Sequence, residues 1–205
     1  MFTTVYTALV YAIFYSFVEV FPLVYQGVYN MDAAHMGLIF LAAIIAVLIA
    51  MPFYYIFIHQ HIAKPIRNGS IPPPEQRLIP ALFISLFVPA GMFIFTWTSR
   101  AQFHWAVPSV GLILIMMGVI TLLQCMFGYM AVAYPSHSAS LFAMNDFARS
   151  TLAFAAALWS GPLYRNLGVA KGTNLIGALT LPCVFGIFAL YFFGAELRRR
   201  SRFSG

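Results

Sequence analysis

Between residues 1 and 31 the chain carries a single charged side chain, Glu19, set in the run Ser16-Phe-Val-Glu-Val-Phe-Pro22. The surrounding residues are apolar enough to sit in hydrocarbon, where a charge near the bilayer centre costs about 2.5–3.5 kcal/mol on insertion scales. A carboxylate kept there must face protein or a watery cavity. Tyr11, Tyr15 and Ser16 precede it by eight, four and three residues, and Gln26 follows by seven. Helical spacing predicts that all of them share one face. Pro22 has no N–H, so the carbonyl of Val18 loses its helical partner, and a kink with a free acceptor is expected beside the carboxylate. The chemistry such a group supports is reversible protonation or binding of a cation, because burial raises a carboxylate's affinity for protons. The competing reading is a protonated Glu19 hydrogen-bonded to another helix for packing alone.

A second constellation is Ser140-Leu-Phe-Ala-Met-Asn-Asp-Phe-Ala-Arg-Ser150. Ser138, Asn145 and Arg149 fall on one helical face, and Asp146 stands three residues before Arg149, close enough to pair with it. The pair either orients a substrate or only allows Arg149 to exist inside the membrane. The structural ion pair is the favoured expectation. Gln124 is a lone polar residue in an apolar run and is expected to face the lumen. His59-Gln60-His61 has no acidic or cysteine partner nearby and is expected at a membrane edge rather than around a metal.

The elements that must position these groups are membrane spans. Hydrophobic residues make up 62% of the 205 and charged ones 8%, far from soluble composition. At about 20 apolar residues per crossing, the chain has room for six spans. They are expected at residues 4–29, 35–58, 78–98, 105–127, 139–159 and 173–194. This is an all-α polytopic architecture. It divides into two spans over 1–58, a cytosolic loop over 59–77, four spans over 78–197 and a basic tail over 198–205. Ending the fifth span at Trp159 follows from Gly161 and Pro162, which open an expected loop. Ala42, Ala46 and Ala50 form a small-residue stripe suited to close helix packing. Trp97, Trp105 and the terminal tyrosines fit interfacial belts. The first span lacks a basic leader and is expected to be retained.

Lys64, Arg67, Arg77 and the four tail arginines lie on one side, seven in all, against Arg100, Arg165 and Lys171 on the other. The positive-inside rule then places both termini and the long loop in the cytosol. Asn68-Gly69-Ser70, a formal glycosylation sequon, should remain unmodified there. The net charge of +6 is accounted for by topology and not by nucleic acid. Cys125 and Cys183 lie inside apolar runs and offer no disulfide framework. No nucleotide-binding glycine pattern, serine–histidine–acid order or zinc-helix motif is present, so enzyme readings are weak and neither a cofactor nor a metal is expected.

Several stretches, taken in order, resemble the C-terminal half of fungal major facilitator superfamily transporters of the twelve-span drug:proton antiporter branch, which includes polyamine and toxin exporters. YAIFYSFVEVFPLVY (residues 11–25) is similar to that family's seventh span, including its glutamate before Phe-Pro. PPPEQRLIPAL (72–82) is similar to the loop into the ninth span. GMFIFTWTS (91–99) and HWAVPSVG (104–111) correspond to the ninth-to-tenth junction. QCMFGYMAVAYP (124–135) and SASLFAMNDFARS (138–150) correspond to the end of the tenth span and the start of the eleventh. The resemblance implies proton-coupled efflux by alternating access through a cavity between two six-span halves, with a small amphipathic or cationic substrate. It carries over Glu19, Pro22, Asn145, Arg149 and Ser150. Val132 departs from it, standing where the family has an acid before Ala-Tyr-Pro. The resemblance also implies residence in the plasma or vacuolar membrane. It makes the chain either one half of a transporter, pairing with an N-terminal six-span half or another copy, or a truncated, non-transporting or regulatory remnant.

Overall fold

The computed structural model describes residues 2–70 and 72–199, with backbone alone for Ala33, Ala195 and residues 197–199. Arg200 and the rest of the basic tail lie outside the described residues. Among the described residues the chain is helical apart from the turns that join its helices, and it contains no strand. In lipid this is the expected solution, since helices satisfy their own backbone hydrogen bonds.

Four apolar helical stretches long enough to cross a membrane occupy Phe2–Tyr25, Ala34–Arg67, Pro74–Thr98 and Ala106–Ala133. They are called here the first to fourth spans. A fifth stretch, Pro135–Gly194, is 60 residues long, about 90 Å if it were straight. It is not straight. Gly168 has φ 75 and ψ 163, a region open essentially to glycine alone, and the chain folds back there. Asn145 touches Thr7, while Gly186 faces the ring of Tyr6. Positions on opposite sides of Gly168 therefore lie at the same depth. The two arms, 135–167 and 169–194, are the fifth and sixth spans, and the six-helix architecture expected from composition is present.

The connections are shorter than the sequence implies. Gly161 and Pro162 sit inside the fifth span rather than in a loop. The expected loop over 161–172 shrinks to the turn at Gly168. Likewise the second span continues as a π-helical stretch His59–Ala63 and a helical turn Lys64–Arg67, leaving only residues 68–73 between helices. Gly168→Val would force a branched residue into this backbone region, at a strain of about 1–3 kcal/mol. We expect a lowered melting temperature in detergent, with Gly161→Ala, where nothing lies within 4 Å, as the unaffected control.

The first span packs mainly on the fifth and sixth, and the fourth span packs on the third and second. The centre is aromatic. Phe17 meets Phe95 edge-on at 5.0 Å and Phe21 at 5.2 Å. Tyr25 hydrogen-bonds Ser109 across 3.1 Å. At the same end, the Tyr29 hydroxyl donates to the carbonyls of Thr98 and Arg100 at 3.3 and 3.1 Å. Burial holds this phenol above the ordinary tyrosine range, partly offset by its bond to Arg100. The small stripe Ala42, Ala46 and Ala50 is the buried face of the second span. The other side of that helix, including Leu41, Ile44, Ile45, Leu48, Ile49 and Phe53, is exposed and apolar, as a lipid-facing surface should be.

Candidate functional site

The first span breaks where the sequence places its kink. Helix runs from Phe2 to Val18, Glu19 forms a turn, and helix resumes over Val20–Tyr25. The cause is Pro22, which cannot donate to the Val18 carbonyl. Glu19 itself is exposed, as is Tyr15. Ser16 departs from the expected shared face. It is fully buried, accepts a 2.6 Å hydrogen bond from the Trp159 indole N–H, and its carbonyl accepts the Tyr164 hydroxyl at 3.0 Å. Ser16 therefore fastens the first span to the fifth, leaving Tyr15 and Glu19 on the open side. Gln26 is exposed beyond the kink, and Gln124 is exposed on the fourth span, joined to its neighbours through its backbone carbonyl, which accepts the Tyr54 hydroxyl at 3.4 Å.

The open side continues from Tyr15 to Tyr11, whose rings lie 4.9 Å apart. The guanidinium of Arg149 stands over the Tyr11 ring at 4.8 Å and over Phe127 at 5.1 Å. Such contacts contribute about 0.5–2 kcal/mol each, more when desolvated. Arg149 also forms a salt bridge with Asp146, its partner one turn earlier. Arg149 is 16% exposed and Asp146 68%, so the cation is covered while its carboxylate looks outward. Phe127, Phe142, Ala143, Asp146 and Arg149 line an open hollow of about 460 Å³. Helical spacing marked Arg149 and Asp146. It did not mark the aromatic clamp of Tyr11 and Phe127, which comes from two other spans and leaves no local signal beyond its aromatic character.

Asn145 sits behind this surface, wholly buried. Its amide N–H donates to Thr7 Oγ1 at 2.8 Å and lies 3.8 Å from the Met130 sulfur. It thereby ties together the first, fourth and fifth spans. Its Oδ1 and Arg149 Nε are buried without a protein partner. Ser150 is exposed next to Arg149. Among the described residues no three histidine, cysteine or acidic side chains gather as metal ligands would.

Tyr15, Tyr11, Arg149, Asp146 and Phe127 are thus linked across the first, fourth and fifth spans, with exposed Glu19 and Gln124 one turn from Tyr15 and Phe127 on the same helices, while residues 41–53 of the second span turn an apolar side outward. This defines a polytopic helical membrane protein whose one polar face is set apart from its lipid-facing sides.

The chain is 53% identical over all of its length to the MFS-type transporter pyvG of Aspergillus violaceofuscus, covering 38% of that protein. It is 33% identical to the transporter mfs1 of Schizosaccharomyces pombe over 98% of this chain and 39% of that one. It is 34% identical to fluconazole resistance protein 1 of Saccharomyces cerevisiae over 97% and 37%. The protein is thus homologous to the fungal major facilitator-type transporters, and it spans under two-fifths of the length of the curated relatives it matches. No family model matches the chain, and no solved structure matches it.

Proposed function

We propose that the chain forms one wall of a transport pathway that exports small amphipathic or cationic molecules in exchange for protons. Glu19 is the protonatable group and Arg149 and Asp146 form the substrate-facing patch, with buried Asn145 fastening the spans behind it. The observation that carries this reading is the linked set Tyr15, Tyr11, Arg149 and Asp146, with exposed Glu19 one helical turn beyond Tyr15. A surface bearing two carboxylates is too costly to leave in hydrocarbon. It is complete only against water and a further set of spans, either an N-terminal six-span half or another copy of the chain. The aromatic rings on this face suit an amphipathic cation, and two relatives are named a fluconazole resistance protein and a multidrug transporter, which supports small drug-like cargo. In this reading the protein resides in the plasma or vacuolar membrane with both termini cytosolic.

Glu19 is exposed on this face and adjoins a break in its helix, so proton uptake needs no unfolding. Protonation removes a charge beside the pathway and release restores it. A cation and a proton then compete for the same carboxylate, which is the elementary requirement for exchange. In proteoliposomes holding the chain, an imposed proton gradient should drive efflux of a lipophilic cationic dye, and Glu19→Gln should lower the rate at least tenfold. Unchanged efflux in Glu19→Gln would refute the coupling role. A correctly inserted chain that moves no dye would instead favour a half that needs its N-terminal partner, or a non-transporting remnant, and co-reconstitution with such a half separates the two.

A further inference from the structure

A groove of about 420 Å³ runs between the second, third and fourth spans. Its volume falls within the range of roughly 300–1,000 Å³ common for ligand sites. Its wall is almost entirely apolar, formed by Ile49, Phe53 and Phe57 on the second span, Ile79 and Phe83 on the third, and Met117 on the fourth. From Ile79 to Phe87 it follows about 12 Å of helix, the dimension of an acyl segment. Two residues in the wall carry a hydroxyl, Tyr54, which donates to the Gln124 carbonyl, and Thr121, whose Oγ1 is buried without a hydrogen-bond partner.

The end of this groove nearest residues 68–73 is basic. Arg77 lies two residues before Ile79, and its side chain passes beside the Tyr54 hydroxyl at Gly128. Arg77 is half-buried, and no carboxylate among the described residues forms a salt bridge with it. The ring of His61 stacks on Phe57 at 4.5 Å. The His59–Ala63 stretch meets the 74–78 turn, which brings Lys64 and Arg67 to the same end. An apolar trough that ends in an unpaired, half-buried arginine has the chemistry of a lipid site for an acyl chain below and an anionic headgroup above. Basic pockets between spans on the cytoplasmic side bind anionic lipids for this reason.

We propose that the groove between the second, third and fourth spans holds one anionic phospholipid, its phosphate on Arg77 and one acyl chain along Ile79, Phe83 and Ile49. The occupant is a membrane lipid and not a transported molecule, because neither Glu19 nor Arg149 lines the groove and Ile49 and Phe53 in its wall belong to the exposed apolar side of the second span. The lipid supplies Arg77 with the countercharge that the described residues do not.

The test is native mass spectrometry of the detergent-purified full chain, delipidated and titrated with phosphatidylserine or phosphatidylcholine of identical acyl chains. One phosphatidylserine should be retained at least fivefold more tightly than phosphatidylcholine. Arg77→Gln should remove that preference, and Arg77→Lys should keep most of it. Ile49→Trp, a change at an exposed position that fills the trough, should weaken both lipids, and Arg100→Gln, beyond the far end of the third span, should change little. Equal retention of the two lipids by the unaltered chain would overturn the proposal, and this comparison stands whether or not a variant inserts. A phosphatidylserine preference that survives Arg77→Gln, or retention indifferent to Ile49→Trp, would overturn it as well.

Discussion

Gly111→Val is expected to leave little monodisperse protein after detergent extraction, and what remains should melt at a markedly lower temperature. Gly111 on the fourth span and Gly91 on the third face each other backbone to backbone. A β-carbon at Gly111 would stand 2.7 Å from the Gly91 carbonyl oxygen and 2.8 Å from the Phe95 nitrogen, and one at Gly91 would stand 2.6 Å from the Gly111 oxygen. These are backbone atoms and cannot swing aside, so the third and fourth spans would have to separate. Overpacking in well-packed interiors typically costs about 1–3 kcal/mol and sometimes more. The contact here also seats Phe95, the ring against which Phe17, Phe21 and Tyr25 pack. Loss at this point therefore spreads from the third and fourth spans to the first. Gly37→Ala, where nothing lies within 4 Å, should melt no lower than the parent chain. Should Gly111→Val melt with the parent, the close approach of these two spans would not be a source of stability. Small residues at span interfaces act through this kind of approach.

The second large effect is expected at the Asp146–Arg149 pair. Asp146→Ala strands Arg149 in the membrane with only its aromatic clamp. An unpaired arginine at mid-span costs about 2.5–3.5 kcal/mol on insertion scales, of which the Tyr11 and Phe127 contacts, at about 0.5–1 each, recover about 1–2. The net corresponds to a drop in correctly inserted chain of about tenfold, since each 1.4 kcal/mol is a factor of ten. The double change Asp146→Asn with Arg149→Gln removes both charges and should restore insertion, measured by protease protection of the inserted chain. Dye efflux should stay low in the double variant if the pair also handles cargo. Full efflux would show that the pair serves insertion alone. Asp146→Ala inserting as well as the parent would show that Arg149 does not need its counter-ion, leaving Asp146 free for cargo.

Much of the architecture was legible because lipid imposes simple rules. Composition demanded spans, and length allowed six. Pro22 announced the break at Glu19 because a missing N–H has a local consequence that no neighbour can undo. Asp146 and Arg149 were recognisable as a pair because both lie on one helix, three residues apart. Their clamp of Tyr11 and Phe127 was not, since those rings reach Arg149 from two other helices.

Ser16 shows where sequence periodicity stops. Three residues before Glu19 it lies on nearly the same side of an ideal helix, and a polar face some 100° wide would include both. Whether the edge of the face falls before or after Ser16 depends on where the fifth span presses, and Trp159 and Tyr164 press there. The connection between the fifth and sixth spans is a similar case. Gly161 and Pro162 look like a loop, yet proline is tolerated inside a membrane helix when neighbouring groups satisfy the freed carbonyl, and the reversal falls on Gly168, which alone there adopts a positive φ. The sequence by itself determined that this protein is a helical membrane protein with a few costly charges and a basic asymmetry, because hydropathy, proline and charge act through solvent and local backbone. Only the tertiary structure decided which of those polar groups share an open face and which are fastened inside, because that depends on contacts between helices far apart in the chain.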